Sequence, residues 1–331
     1  MRKGCSVSTS KGLDVAILVS TYNGQRFAES QIDSLKRNTT RFTLHWLDDH
    51  STDNTRETVR TAVLRAGIEL REWHQAEHLG VPGAFFELLE RVEADIYFFC
   101  DQDDIWQPGK IDAAVGDLLP DLTSPALCFT DPLMFRDESP QTLYRLTQIL
   151  GATPEAALRE SRTFMVANIV GHTQAFTRPL RDLFMRHKEI ARTHAAMHDI
   201  WMYLIAAAGG VPRLIPNAPT TLFRRHQHNS TGQFFSWKGR GVGHFAVTWR
   251  QHQLARQCVA RQAEGFILAS ETLPPGPKLE RLLNIARLVA TIDRQLSPAQ
   301  LFQFSRRGVL WPSTRLALGL AVACLCSDAR A

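Results

Sequence analysis

YFFCDQDDIWQPGK, residues 97–110, runs four apolar side chains straight into three carboxylates within four positions: Asp101, Asp103 and Asp104. Like charges this close repel unless a cation or well-ordered water sits among them. The apolar run over 96–100 reads as a strand buried on both faces, so the acids fall at its carboxyl end. The same pattern recurs upstream. VAILVS (15–20), FTLHWL (42–47) and IELREW (68–73) read as strands, separated by helical segments over 27–37, from Asp53 to about 66, and over 81–91. Asp53 can cap the second of these helices, Pro82 is tolerated in the first turn of the third, and Pro108 opens a fourth. Strand–helix alternation at this spacing predicts an α/β domain with a mostly parallel, doubly wound sheet. Ligands collect at the carboxyl ends of such strands. Three polar clusters fall there: STYNG, DDHSTDN and DQDD. Farther on, GHTQAFT (171–177) alternates like a strand, HDIWMYLIAAAGG (198–210) opens a helix that a glycine can end, and TLFRRH (221–226) reads as a strand.

At 331 residues the chain accommodates one large α/β domain with an appendage, or two domains. A hydrophobic fraction of 44% with seven tryptophans belongs to a protein with a substantial core, not to a disordered one. The net charge of +5 is uneven: residues 233–331 carry 13 Lys+Arg against 5 Asp+Glu, a net of +8, which leaves −3 for residues 1–232. Residues 1–13 read as a tail, 14–232 as the α/β domain, and 233–331 as a helical, basic C-terminal region interrupted by PPGP (274–277). Six cysteines without CxxC spacing fit a reducing cytoplasm better than a disulfide scaffold. The apolar run after Asp14 is too short for a signal-peptide core, and Leu316–Cys326 is far shorter than a membrane span.

Each cluster has a plain structural reading and a chemical one. DQDD could be a solvated loop, but Asp101 and Asp103, alternating on an extended segment, can converge on Mg²⁺ or Mn²⁺ together with substrate phosphates. Asp104 is then left to start the next helix. In LDDHSTDN, Asp53 suffices for capping, whereas Asp48 and Asp49 are free to accept from a base N–H or a ribose hydroxyl. In MHDIW either His198 or Asp199 could be an N-cap; alternatively Asp199 is a general base whose ionised form the helix terminus favours. His194, His198, His226 and His228 lack the HExxH pattern or a cysteine cluster that zinc would require. FRRHQHNSTG (223–232) is a basic loop that could contact a diphosphate. GRGVG (239–243) lacks the strand and the Lys-Ser/Thr ending of a phosphate loop, and reads as a flexible turn.

Taken in order, VSTYNG, LDDHSTDNT, LGVPGAF, CDQDDIW, GHTQAF, HDIWMYLIAAAGG and FRRHQHNSTG resemble the family 2 glycosyltransferases, inverting enzymes of GT-A fold. The likeness covers roughly residues 14–232 and is greatest to a bacterial rhamnosyltransferase-like branch that builds cell-surface polysaccharides. The resemblance implies that Thr21, Tyr22 and Asp49 line the base and ribose of a nucleotide-diphospho-sugar donor. It implies that Asp101 and Asp103 hold a divalent cation, Mn²⁺ or Mg²⁺, with Asp101 also meeting the donor. Asp199 would be the catalytic base on an acceptor sugar hydroxyl, with His198 and Trp201 contacting the acceptor. Arg225, His226 and Asn229 would close over the diphosphate. His50 in place of a small residue, Ala84 where relatives often carry Asn, and Phe223 for Tyr depart from the pattern and leave the donor's identity open.

The expected activity is transfer of a sugar, L-rhamnose from dTDP-rhamnose or a hexose from a UDP donor, to a polysaccharide precursor. A sugar-nucleotide or glycan-binding module without turnover is the rival, although such a module has no need of Asp199. The basic C-terminal region suits peripheral contact with the inner face of a bacterial membrane, where lipid-linked glycan acceptors are presented, with Leu316–Cys326 as an interfacial helix. A basic helical subdomain packed on the core is the alternative. Few aromatics interleave its charges, which argues against nucleic acid.

Overall fold

The computed structural model describes residues 12–136, 139–150, 169–226 and 257–291, with 153, 155, 158 and 164 besides. β1 (Val15–Thr21), β2 (Thr43–Asp48), β3 (Glu69–Trp73) and β4 (Ile96–Cys100) pair in parallel. They alternate with α1 (Gln25–Leu35), α2 (Thr55–Ala66) and α3 (Gly80–Arg91). β1 lies at the centre, and its alternate residues feed two cores. Val15, Ile17 and Val19 pack with Ile32, Leu35, Val59 and Val63 on one face. Ala16 and Leu18 pack with Phe85, Leu88 and Leu89 on the other. A strand covered on both faces has no polar position to spare, which is why its sequence is unbroken VAILV.

After the DQDD turn come β5 (Ile105–Trp106), α4 (Lys110–Leu118), β6 (Ala126–Phe129), β7 (Leu133–Arg136), β8 (Ser139–Arg145) and α5 (Leu146–Leu150). β9 (Ala175–Thr177), α6 (Arg178–Met185), α7 (Lys188–His194), α8 (His198–Gly209), β10 (Val211–Leu214) and β11 (Thr221–Arg225) follow. A helix over 257–269, α9, and α10 (Pro277–Ala290) complete the described chain. The main sheet has seven strands in the order β10-β6-β9-β4-β1-β2-β3, with β9 antiparallel to both neighbours. A second sheet, β5-β11-β7-β8, rises from the carboxyl side of β4.

One expectation changes. GHTQAFT is a strand only over its last three residues; Gly171–Thr173 is a 3₁₀ turn. The described C-terminal helices pack on the α/β core. Phe266, Leu279, Leu282, Leu283 and Val289 belong to the same hydrophobic cluster as Phe85, Leu89 and Trp201. Leu316–Cys326, the GRGVG turn, and Asn229 and His228 lie outside the described residues. Among the described residues no helix is long and apolar enough to cross a membrane, and Cys100, Cys128 and Cys258 are unpaired.

Candidate active site

The DQDD turn leaves β4 between β1 and β11 and is fastened to both. The Gln102 amide donates to Tyr22 O (3.1 Å) and accepts from Tyr22 N (3.0 Å), locking the turn to the end of β1. On the other side, Arg224 N donates to Asp104 Oδ1 (3.0 Å) and Arg224 Nε donates to Asp103 O (2.8 Å). His226, stacked on Phe27, places Nε2 2.8 Å from Asp103 Oδ2. The expectation that Asp104 serves only to start the next helix is therefore corrected. α4 begins at Lys110, and Asp104 is fully buried as the link between turn and second sheet.

Behind the turn, one ligand atom each from Asp101, Asp104 and His172 lies within 4.8 Å of the others. Asp104 Oδ2 is 3.5 Å from His172 Nδ1, and neither atom makes a hydrogen bond. Burial, then the negative charges of Asp103 and Asp199, push the Asp101 carboxyl well above the usual carboxylate range. Burial, then Asp103 and Asp101, do the same to Asp104. Burial pushes the His172 imidazole down to about 3, so the ring is neutral and able to ligate. Orphaned buried ligand atoms beside mutually repelling carboxyls fit a divalent cation, which would relieve both penalties. Of the two ligands expected from the sequence, Asp101 lies in this cluster. Asp103 does not, because its Oδ2 faces His226 instead. His172 carried no role in the sequence reading, although GHTQAF had been matched as a motif. Lys110, its amine 3.6 Å from the Trp106 ring centre and pushed down to about 8 by burial, was likewise missed.

α8 brings Asp199 to this space. Its Oδ2 accepts from Gly171 N (2.8 Å) and its Oδ1 from Ile200 N (2.7 Å). Burial lifts the carboxyl to about 6, the two backbone donors offsetting part of that rise. The 3₁₀ turn at Gly171 exists to deliver that N–H, and a Cβ there would lie 2.8 Å from His198 Nε2. The two residues expected to contact the acceptor are both buried. His198 is 2% exposed, stacked on Phe85 at 4.0 Å and edge-on to Phe99. Trp201 is fully buried. Both occur on α8 faces that the core covers.

Donor-side residues divide in the same way. The Thr21 hydroxyl donates to Asp48 Oδ1 (2.9 Å) and accepts from Trp46 Nε1 (2.9 Å), so it points into the protein rather than toward a ligand. Asp49 is 2% exposed and accepts from the N–H groups of Leu79 (2.9 Å) and Gly80 (2.8 Å) and from the Gln75 amide. Its carboxylate ties the end of β2 to the start of α3. Tyr22 is exposed. Arg224, not Arg225, reaches the DQDD turn, because successive side chains of β11 leave opposite faces; the Arg225 guanidinium lies over Phe223.

Residues 16–129 match the family described as "Glycosyl transferase family 2". This segment is a family 2 glycosyltransferase domain. Over 264 residues the chain is 24% identical to a dTDP-rhamnosyl transferase, RfbG, of Shigella flexneri, covering 75% of this chain and 86% of that one. Among solved structures it resembles S. aureus TarS residues 1–349 in complex with UDP (14% identity, TM-score 0.54, 96% of this chain and 88% of that one). It also resembles a mannosyltransferase from Pyrobaculum calidifontis in complex with GDP-Man and Mn²⁺ (18% identity, TM-score 0.50, 96% and 87%). At these identities the structures establish the fold, which is GT-A. With the family match, they place a family 2 glycosyltransferase segment within a chain of GT-A fold.

Proposed function

We propose that this family 2 glycosyltransferase inverts the anomeric centre of its donor, with Asp199 taking the proton from an acceptor hydroxyl. The observation that carries this reading is the position and acidity of Asp199. It is a carboxyl raised to about 6, close enough to the DQDD turn for its charge to raise Asp101. A proton acceptor and a cation-binding cluster thus share one space. Asp101, Asp104 and His172 would hold a divalent cation, Mn²⁺ or Mg²⁺, which supplies neutralisation of the departing diphosphate. Asp103 and His226 border that space from the front and Arg224 holds them in place, while Gln102 keeps Tyr22 at a fixed offset from the acids. Gly171 N–H and Ile200 N–H keep the Asp199 carboxylate aimed and moderate its basicity.

The donor we favour is dTDP-rhamnose, supported by the likeness to the S. flexneri enzyme; UDP-hexoses are the second reading, supported by the likeness to TarS with UDP. The acceptor is a glycan or lipid-linked glycan met at the inner membrane face, with the enzyme cytoplasmic and peripheral. The test is release of nucleoside diphosphate from each donor in the presence of Mn²⁺. Asp199→Asn is expected to keep its fold and lose about 10²–10⁴-fold in kcat. Unchanged turnover in that variant removes Asp199 as base, and unchanged turnover in excess EDTA removes the cation.

A further inference from the structure

We infer that His78 reads the nucleobase of the donor and selects a pyrimidine carrying an imide N–H, uracil or thymine. This rests on the reading above that the site takes a nucleoside diphosphate. With Asp49 committed to Leu79, Gly80 and Gln75, the surface at the ends of β1 and β2 presents two exposed rings. Tyr22 is 47% exposed and the His78 side chain 50%. Their centroids are 4.5 Å apart and their planes are tilted by 43°. Gln102 holds the Tyr22 backbone from one side, and Asp49 holds His78 from beneath. The pair is therefore a rigid aromatic platform placed next to the acidic turn, where a base would stack while its diphosphate reached the acids.

The hydrogen-bond network fixes which face His78 shows to a ligand. Nδ1 lies 2.9 Å from Asp49 O and 2.9 Å from Asp49 Oδ2. A carbonyl oxygen and a carboxylate oxygen that already takes the Gly80 N–H both act as acceptors here, so Nδ1 must carry the hydrogen. In the neutral ring Nε2 is then an acceptor. The N3–H of uracil or thymine can donate to it. Cytosine presents a bare N3 at the same place, so two lone pairs would face each other. Asp49 thus governs base choice at one remove, by setting the tautomer of His78.

Isothermal titration at pH 8 with Mn²⁺ compares UDP, dTDP, CDP and N3-methyl-UDP. UDP and dTDP are expected to bind about tenfold more tightly than CDP or the N3-methyl analogue, as one hydrogen bond made or blocked would require. His78→Ala should bring all four within about twofold of one another. Tyr22→Ala should weaken all four alike, since stacking does not depend on the base edge. If the wild type binds N3-methyl-UDP or CDP as tightly as UDP, or if His78→Ala preserves the gap, the inference is overturned while the transferase reading stands. If the wild type binds none of the four, both are overturned.

Discussion

At Gly171 a single missing methyl group positions Asp199, the proposed base. An added Cβ would meet His198 Nε2 at 2.8 Å and Asp199 Cβ at 3.3 Å. His198 cannot yield, because Phe85 and Phe99 enclose its ring. Gly171→Ala should therefore displace the start of α8 and lower kcat about tenfold or more, as a misplaced catalytic group does. Substrate affinity should stay within about threefold, and steady-state kinetics checks both. Acidity gives a second expectation. Because folding raises the Asp199 pKa from 3.8 to about 6, the group's stabilising contribution is complete below pH 3.8 and lost as pH rises through 6. In the proposed role, Asp199 works only in that costlier ionised form. With donor and Mn²⁺ saturating, kcat should rise with pH through an apparent pKa of about 6; a rate that stays flat down to pH 5 counts against Asp199. The sequence exposed Asp199 because a carboxylate heading an apolar helix is conspicuous. It could not expose the inward turn of the Thr21 hydroxyl or the enclosure of His198, because Trp46, Phe85 and Phe99 meet them only in three dimensions.

Among elements, the four leading strands and their helices were legible because β1 and β4 are unbroken apolar runs and helical segments separate the four strands at regular spacing. β5, β6, β7 and β8 were not: they are two to seven residues long, and three of them form a sheet with β11 that no local pattern announces. That second sheet decides which half of FRRH serves the site. Pairing of β11 with β7 and β5 turns Arg224 toward the DQDD turn, whereas the family resemblance pointed to Arg225. The clasp between β1 and the turn is equally non-local. Gln102 folds over Gly24, where a Cβ would come within 2.1 Å of Gln102 Oε1. In Gly24→Ala the amide must leave Tyr22, which breaks two hydrogen bonds worth about 1 kcal/mol each. The expected result is a donor KM raised about tenfold, with the melting temperature within a few degrees of wild type. Differential scanning fluorimetry beside donor titrations distinguishes this from general unfolding.

For the whole molecule, the question is where the catalytic domain ends. A boundary at 232 follows from the change in charge and from the end of the recognisable motifs, but charge reports the surface and says nothing of what lies beneath it. The C-terminal helices press on the helix that carries Asp199. A Cβ at Gly265 of α9 would lie 2.3 Å from His194 Cβ and 3.3 Å from the Trp201 ring. Gln262 Oε1 accepts from Ala196 N (3.0 Å), just ahead of α8. Phe266 meets Phe164 edge-on, and Leu282 and Ala286 of α10 are fully buried in the same cluster. Phe266→Ala should cost about 3–5 kcal/mol, as large-to-small changes at buried aromatic positions do. Against a typical stability of about 5–15 kcal/mol, the loss of both helices should be fatal to the fold. A chain ending at 232 is expected to be aggregated or molten, without the cooperative urea transition of the full chain. If it instead unfolds at the same urea midpoint, α9 and α10 are an appendage and the boundary read from charge is the true one.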